Sequence, residues 1–207
     1  MSRIILALCC CLQVALCCDG QATNLPVKAD MYMDKNHTST VSKRLVITRD
    51  SLNLDVLENG YDSLQIRIWI TKSREDSFKV VVLRKKHTEW EGILYNCKQF
   101  LNLTRDTLIN YAKDSILIVP VSGWNYFING LKVNNIMTMP DFRTIKDYPI
   151  QSIGGSNFIV EISTKKIYRL YMFDSPTRNK NSFKEAKNMV KIMSILSREL
   201  KIQFEDL

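Results

Sequence analysis

From Leu64 to Thr71 the chain alternates strictly, with Leu64, Ile66, Ile68 and Ile70 set between Gln65, Arg67, Trp69 and Thr71. A period of two over this length predicts a β-strand with one buried face and one partly solvated face. Upstream, Leu52, Leu54 and Val56 alternate with Asn53 and Asp55 before Glu58-Asn59-Gly60, which predicts a strand followed by a turn. Phe78 to Leu83 is a denser apolar run that predicts a strand buried on both faces. Thr88 to Cys97 predicts a further strand, bulged at Gly92. The polar connection Lys72-Ser73-Arg74-Glu75-Asp76 is too short for a crossover helix, so these strands form an antiparallel meander.

Then the period changes. Leu108, Tyr111 and Ala112 predict a short helix after Thr104, and Ile116 to Val121 reads as a strand interrupted at Pro120. Trp124, Phe127, Ile128 and Leu131 fall on one helical face, with Ser122 placed as its cap. Asn129-Gly130 could instead turn a hairpin, but its arms would be only three residues long. Pro140 and Pro149 bracket an irregular connection expected to be exposed. Beyond Gly154-Gly155, Asn157 to Ser163 and Lys166 to Phe173 predict a hairpin joined at Thr164-Lys165 and stopped by Asp174-Ser175-Pro176.

Ser182-Phe183-Lys184-Glu185 has the form of a capping box. Phe183, Ala186, Met189, Val190, Met193, Leu196 and Leu200 then carry a helical period, while Lys184, Lys187, Lys191 and Arg198 project elsewhere. The methionines in that helix read as core filler rather than as a ligand box. The predicted fold class is α+β: an antiparallel sheet, built of the meander plus a C-terminal hairpin, with helices packed on one face and a long C-terminal helix.

The first residues follow another logic. Arg3 precedes an apolar run from Ile4 to Leu16, followed by Cys17-Cys18-Asp19-Gly20. A charged start, an apolar stretch and a polar exit form an export signal, and the stretch is shorter than the roughly 18 residues that span a bilayer. Val14-Ala15-Leu16-Cys17 places Cys17 as the residue to be lipidated, with Cys18 as the alternative. Leu16 is larger than the Ala, Gly or Ser usual before such a cysteine. Ordinary cleavage after Gly20 or Ala22 would instead leave a soluble exported protein, periplasmic or secreted. The organisation expected is a signal over 1–18, a flexible tether over 19–42 and a single α+β domain over 43–207. Five of the six cysteines lie in the signal, so only Cys97 remains beyond it. A disulfide framework is therefore not expected, and stability must come from an apolar core.

The formal charge is +8 and the basic residues are dispersed, densest from Lys180 to Lys191. In an exported protein this suits an acidic ligand or an anionic lipid surface better than nucleic acid, which is not expected as a partner. For catalysis, His87, Glu89 and Glu91 would share a face if residues 87–91 were extended. A histidine with two carboxylates can relay a proton or hold a metal, although a solvated strand face has the same appearance. Cys97 could act as a nucleophile only if the register brought His87 to it; a small buried hydrophobe is the plainer role. The chain carries no phosphate loop, dinucleotide fingerprint, nucleophile elbow or His-Glu-x-x-His motif, so no cofactor and no metal are expected.

The stretch from about residue 64 to 200 resembles a group of small uncharacterised lipoproteins of Bacteroidota-type cell envelopes. The resemblance runs through Gly123-Trp124 with Phe127 and Leu131, Met139-Pro140-Asp141, Gly154-Gly155 and Val160-Glu161-Ile162. It continues through Lys166-Ile167-Tyr168-Arg169-Leu170-Tyr171 and Asp174-Ser175-Pro176 to Glu185-Ala186-Lys187-Asn188-Met189-Val190. That group has no established activity, so the resemblance implies a lipid anchor at the membrane and transfers no functional residue. The expectation is an exported, lipid-anchored, non-catalytic binding or accessory protein of the cell envelope, with an unidentified envelope partner or acidic ligand. Two alternatives stand beside it: an envelope-polymer hydrolase using His87 with Glu89 or Glu91, and a secreted inhibitor or immunity-type protein that binds an acidic partner.

Overall fold

Strand β2 (Leu64–Lys72) forms where the alternation is cleanest, and it becomes the centre of the sheet rather than one of its edges. The computed structural model describes residues 28–31, 38–72, 76–102, 107–149 and 155–204. The signal, Cys17 and Cys18 lie outside them. Strands β1 (Lys28–Met31), β3 (Ser77–Lys86), β4 (Glu89–Asn102), β5 (Thr107–Leu117), β6 (Ser156–Thr164) and β7 (Ile167–Asp174) join β2 in one sheet. Their order is β1-β7-β6-β2-β3-β4-β5. Strands β2 to β7 are antiparallel throughout, and β1 pairs parallel to β7 at the edge. The α+β class, the meander β2-β3-β4 and the hairpin β6-β7 are those the sequence predicts.

Both faces of the sheet are covered. On the first, Ile66, Ile68, Val81, Leu83, Phe158 and Val160 meet helices α2 (Trp124–Val133) and α4 (Lys184–Leu200). Phe127, Ile128 and Leu131 of α2, with Ala186, Met189, Met193 and Leu196 of α4, supply the matching stripes. On the second face Trp69, Val80, Val82, Ile159 and Leu170 are covered by Leu52, Leu54 and Leu57. All three follow helix α1 (Thr38–Ser51), and Leu57 opens a 3-10 turn at Leu57–Asn59. β2 is therefore not solvated on its polar side: Gln65 and Arg67 are fully buried.

Several local expectations are corrected. Leu52 and Leu54 alternate because both are buried, yet their amides bond back to Thr48 and Arg49 at the end of α1 and make no strand. Residues 107–112 belong to β5 and not to a helix, because pairing with the long β4 outweighs a three-residue helical hint. Gly92 sits in register opposite Leu83, and the irregularity of β4 falls between Gln99 and Leu101 instead. Within the stretch 19–42, residues 28–31 form β1 and residues 38–42 belong to the start of α1; the rest lies outside the described residues. The β6-β7 join falls at Lys165-Lys166, one residue later than predicted.

The two helix starts also differ from their predicted caps. Gly123, with φ of +82°, occupies the N-cap of α2, a backbone angle that glycine tolerates without steric cost. Ser122 instead donates its backbone amide (2.8 Å) and its hydroxyl (2.7 Å) to the Glu199 carboxylate at the end of α4. The Ser182 capping box does not form. Phe183 precedes α4, and its ring packs on Tyr148 at 4.9 Å between centroids, so apolar docking sets this helix start. Short α3 (Pro176–Asn179) precedes it.

The connection bracketed by Pro140 and Pro149 is exposed only in part: Thr144, Lys146 and Asp147 face outward, while Asp141, Phe142 and Tyr148 are each 6 % exposed or less. Asp141 accepts from the Arg143 amide and guanidinium and from the Met172 amide of β7 at 2.9 Å. It is the turn former its position suggests, and it also ties the connection to the sheet.

Glu199 couples α4 to α2 and carries a pH dependence. The hydrogen bonds from Ser122 hold its carboxyl below the usual carboxylate range. Its stabilising effect is thus present above the unfolded-state pKa near 4.3 and is lost as the pH falls through the lowered folded value. We expect Glu199→Gln to cost about 1–2 kcal/mol at pH 7 in urea denaturation, with the gap to wild type closing well below pH 4. A gap unchanged at acid pH would contradict this role.

Candidate functional site

A cavity lies at the end of the sheet that α2 and α4 leave open. Its volume is about 600 Å³. Strand register explains its lining. Ile70, Lys79, Asn96 and Asp114 stand side by side across β2, β3, β4 and β5, so their side chains share one face. The next row brings Ser156 beside Lys72, and Ser77 beside Lys98. Phe204, its ring tilted against that of Phe158 at 6.0 Å between centroids, walls the groove where the chain runs on past α4.

Lys72, Lys79 and Lys98 therefore line one groove, where Asp114 is the only carboxylate among the described lining residues and accepts from Asn96 at 3.3 Å. Lys113 borders the same end but belongs to the opposite face, where its ammonium donates to the Ser51 carbonyl at 3.4 Å. Ammonium groups beside the apolar side chains of Ile70 and Phe204 can attract an anion. The lysines lie on three different strands whose pairing cannot be read from periodicity. Only the register reveals them as a set.

A second polar cluster lies buried under residues 52–59. Arg67 on β2 faces Glu161 on β6 across the register, with Nη1 3.6 Å from Oε2. Glu161 also accepts from Trp69 Nε1 at 2.6 Å and from the Tyr168 hydroxyl at 3.0 Å. The guanidinium donates to the Asp55 carbonyl at 2.7 Å, and the Gln65 amide oxygen, turned toward it, accepts from Nη2 and Nε at 3.1 and 3.2 Å. Ser163 donates to the Leu57 carbonyl at 2.8 Å. Burial, in excess of the attraction of Glu161, lowers the Arg67 pKa, and burial reinforced by the Glu161 charge raises that of Tyr168. Neither of the two cavities lined by described residues reaches these groups, and their bonds to the Asp55 and Leu57 carbonyls hold residues 52–59 to the sheet.

The residues proposed for catalysis are not gathered. His87 occupies the tight turn between β3 and β4 with φ of +55°, so residues 87–91 are not extended as a common face requires. His87 and Glu89 are exposed, and Glu91 pairs with Lys86 at 2.6 Å. Cys97 lies at the far end of β4 from His87, 4 % exposed in the second core, and burial pushes its thiol up to about 12. It stays protonated at neutral pH and behaves as a small apolar side chain. Among the described residues no cluster of three His, Cys, Asp or Glu side chains could hold a metal ion, and no helix is long and apolar enough to cross a membrane.

No protein family, curated protein or solved structure matches this chain.

Proposed function

We propose that this chain is a non-catalytic binding protein exported to the cell envelope, anchored there by a lipid on Cys17 (or Cys18), whose lysine-lined groove takes an acidic ligand. The observation that carries the binding half is the convergence of Lys72, Lys79 and Lys98 in one open groove. The export half rests on the layout of residues 1–20 and on the resemblance to small envelope lipoproteins. The positions of His87, Glu89 and Glu91 lend the hydrolase alternative no support.

Two measurements test it. Mass spectrometry of the mature N-terminus should find an acylated cysteine, and an unmodified Gln21 or Thr23 would remove the anchor. Titration with short poly-glutamate and with an anionic oligosaccharide should give saturable, salt-sensitive binding. Lys79→Glu with Lys98→Glu should weaken that binding on the order of tenfold or more, since each reversal replaces attraction by repulsion. Binding indifferent to both reversals would reject the groove. Stoichiometric capture of one acidic protein, with no affinity for the simple polyanions, would instead favour the inhibitor or immunity-type reading.

A further inference from the structure

Strand β5 ends the sheet opposite β1, and its final turns are unusually apolar for an edge. Ile116, Leu117, Val119 and Val121 are 50, 77, 74 and 69 % exposed. Natural edge strands are commonly guarded by lysine, inward charges or a covering loop. Here Lys113 and Asp114 precede the apolar stretch, but no charge interrupts Ser115 to Val121.

The ladder determines which backbone groups face outward. Ile118 donates to the Gly92 carbonyl at 2.9 Å, and Ile116 lies opposite Leu94, so the even-numbered residues bond inward to β4. In an antiparallel ladder the alternate residues point the other way, so Ser115 and Leu117 direct N–H and C=O away from the sheet, and Val119 continues the same alternation. Val121 leaves the series, because its amide donates to the Glu199 carbonyl, and Pro120 has no donor. Ile116 and Leu117 also stand on opposite faces of the strand.

From this edge we infer that the protein forms a two-fold dimer by antiparallel pairing of β5 with β5 of a second copy. A row of outward amides and carbonyls is complementary only to another strand edge. Apolar side chains on both faces call for a neighbour that is itself two-sided, which a helix or a flat lipid surface is not. A second copy meets both conditions, and an isologous contact needs no other complementary surface. With pairing centred near Ile116 or Leu117, Lys113 and Asp114 of one copy lie opposite apolar residues of the other, so like charges are not opposed. One strand pair buries less than the roughly 800 Å² per partner of a standard stable interface, so the dimer is expected to be concentration-dependent.

The test is sedimentation of the purified mature protein over a wide concentration range, alone and with neutral lipid vesicles. Wild type should shift from monomer to dimer as concentration rises. Leu117→Lys with Val119→Lys should raise the dissociation constant on the order of tenfold or more. Hydrogen exchange gives a second readout: the Ser115 and Leu117 amides should gain protection with concentration, and those of Ile116 and Ile118 should not change. A wild type that stays monomeric, a dimer unaffected by the lysines, or a monomer that floats with vesicles through these residues would each overturn the inference. None of these outcomes depends on the acidic-ligand groove, because the two substitutions leave its lysines on β2, β3 and β4 in place.

Discussion

Arg67→Met is expected to destabilise the protein by about 3–5 kcal/mol, the range for breaking a buried ion pair from one side. The side chain is fully buried, and its removal leaves Glu161 inside the protein with the Trp69 and Tyr168 donors but no counter-charge. It also removes the donor to the Asp55 carbonyl, so residues 52–59 lose part of their attachment to the sheet. Urea denaturation should read the loss directly. At about 2–4 °C per kcal/mol for a domain of this size, the thermal midpoint should drop by on the order of 10 °C. Glu161→Leu should cost a comparable amount for the converse reason. The double variant Arg67→Met with Glu161→Leu should recover much of it, since an apolar pair of similar volume needs no desolvated charges. Additive losses in the double variant would show that the two residues act independently.

Gly92→Val should be the next most damaging substitution, at about 3 kcal/mol, the upper part of the range for overpacking a well-filled site. A Cβ at this position would stand 2.6 Å from the Trp124 ring and 2.7 Å from the Ile118 side chain. The ring cannot swing away freely, because it stacks on Trp90 at 6.3 Å and meets the edge of Phe127 at 6.0 Å. The clash therefore displaces the start of α2 from β4. Tryptophan fluorescence should change with the loss of stability, since two of the three tryptophans form this contact. Trp124→Leu in the same background should restore part of the stability by opening space above the new side chain. A Gly92→Val protein as stable as wild type would mean that this packing is not the constraint.

Gly92 also illustrates how much of the fold was legible. The glycine was conspicuous within a strand pattern, and a bulge is the common reason for one. The ring of a residue more than thirty positions away is a different reason, invisible without the crossing of α2. Arg67 is a similar case. Its alternation with Ile66 and Ile68 placed it correctly on the second face of a strand, but the period of two cannot say whether another segment covers that face. The alternating Leu52 and Leu54 are part of that cover. Where a pattern was long and one-sided, as in α4 and β2, the element formed as read. Where it rested on three residues, as at 108–112, pairing with a neighbour decided.

The candidate site was less legible than the fold. His87, Glu89 and Glu91 share a face only if residues 87–91 are extended, and His87 instead takes a left-handed backbone angle in the turn before β4. Lys72, Lys79 and Lys98 are unremarkable in a basic chain and sit on three different strands, brought together by hydrogen-bond register alone. Chemistry assembled across strands leaves no local spacing to detect.

By itself the sequence determined the class of elements, the antiparallel meander and hairpin, the amphipathic C-terminal helix and the expectation of export, because each is written in local periodicity or in a contiguous segment. Only the tertiary structure decided that both sheet faces are covered, that Arg67 and Glu161 share a buried pair, that three lysines line one groove, and that β5 is left as an apolar edge. These follow from which strands become neighbours and from what crosses over them. Such long-range choices arise from the summed burial of many side chains, and no short window of the chain encodes them.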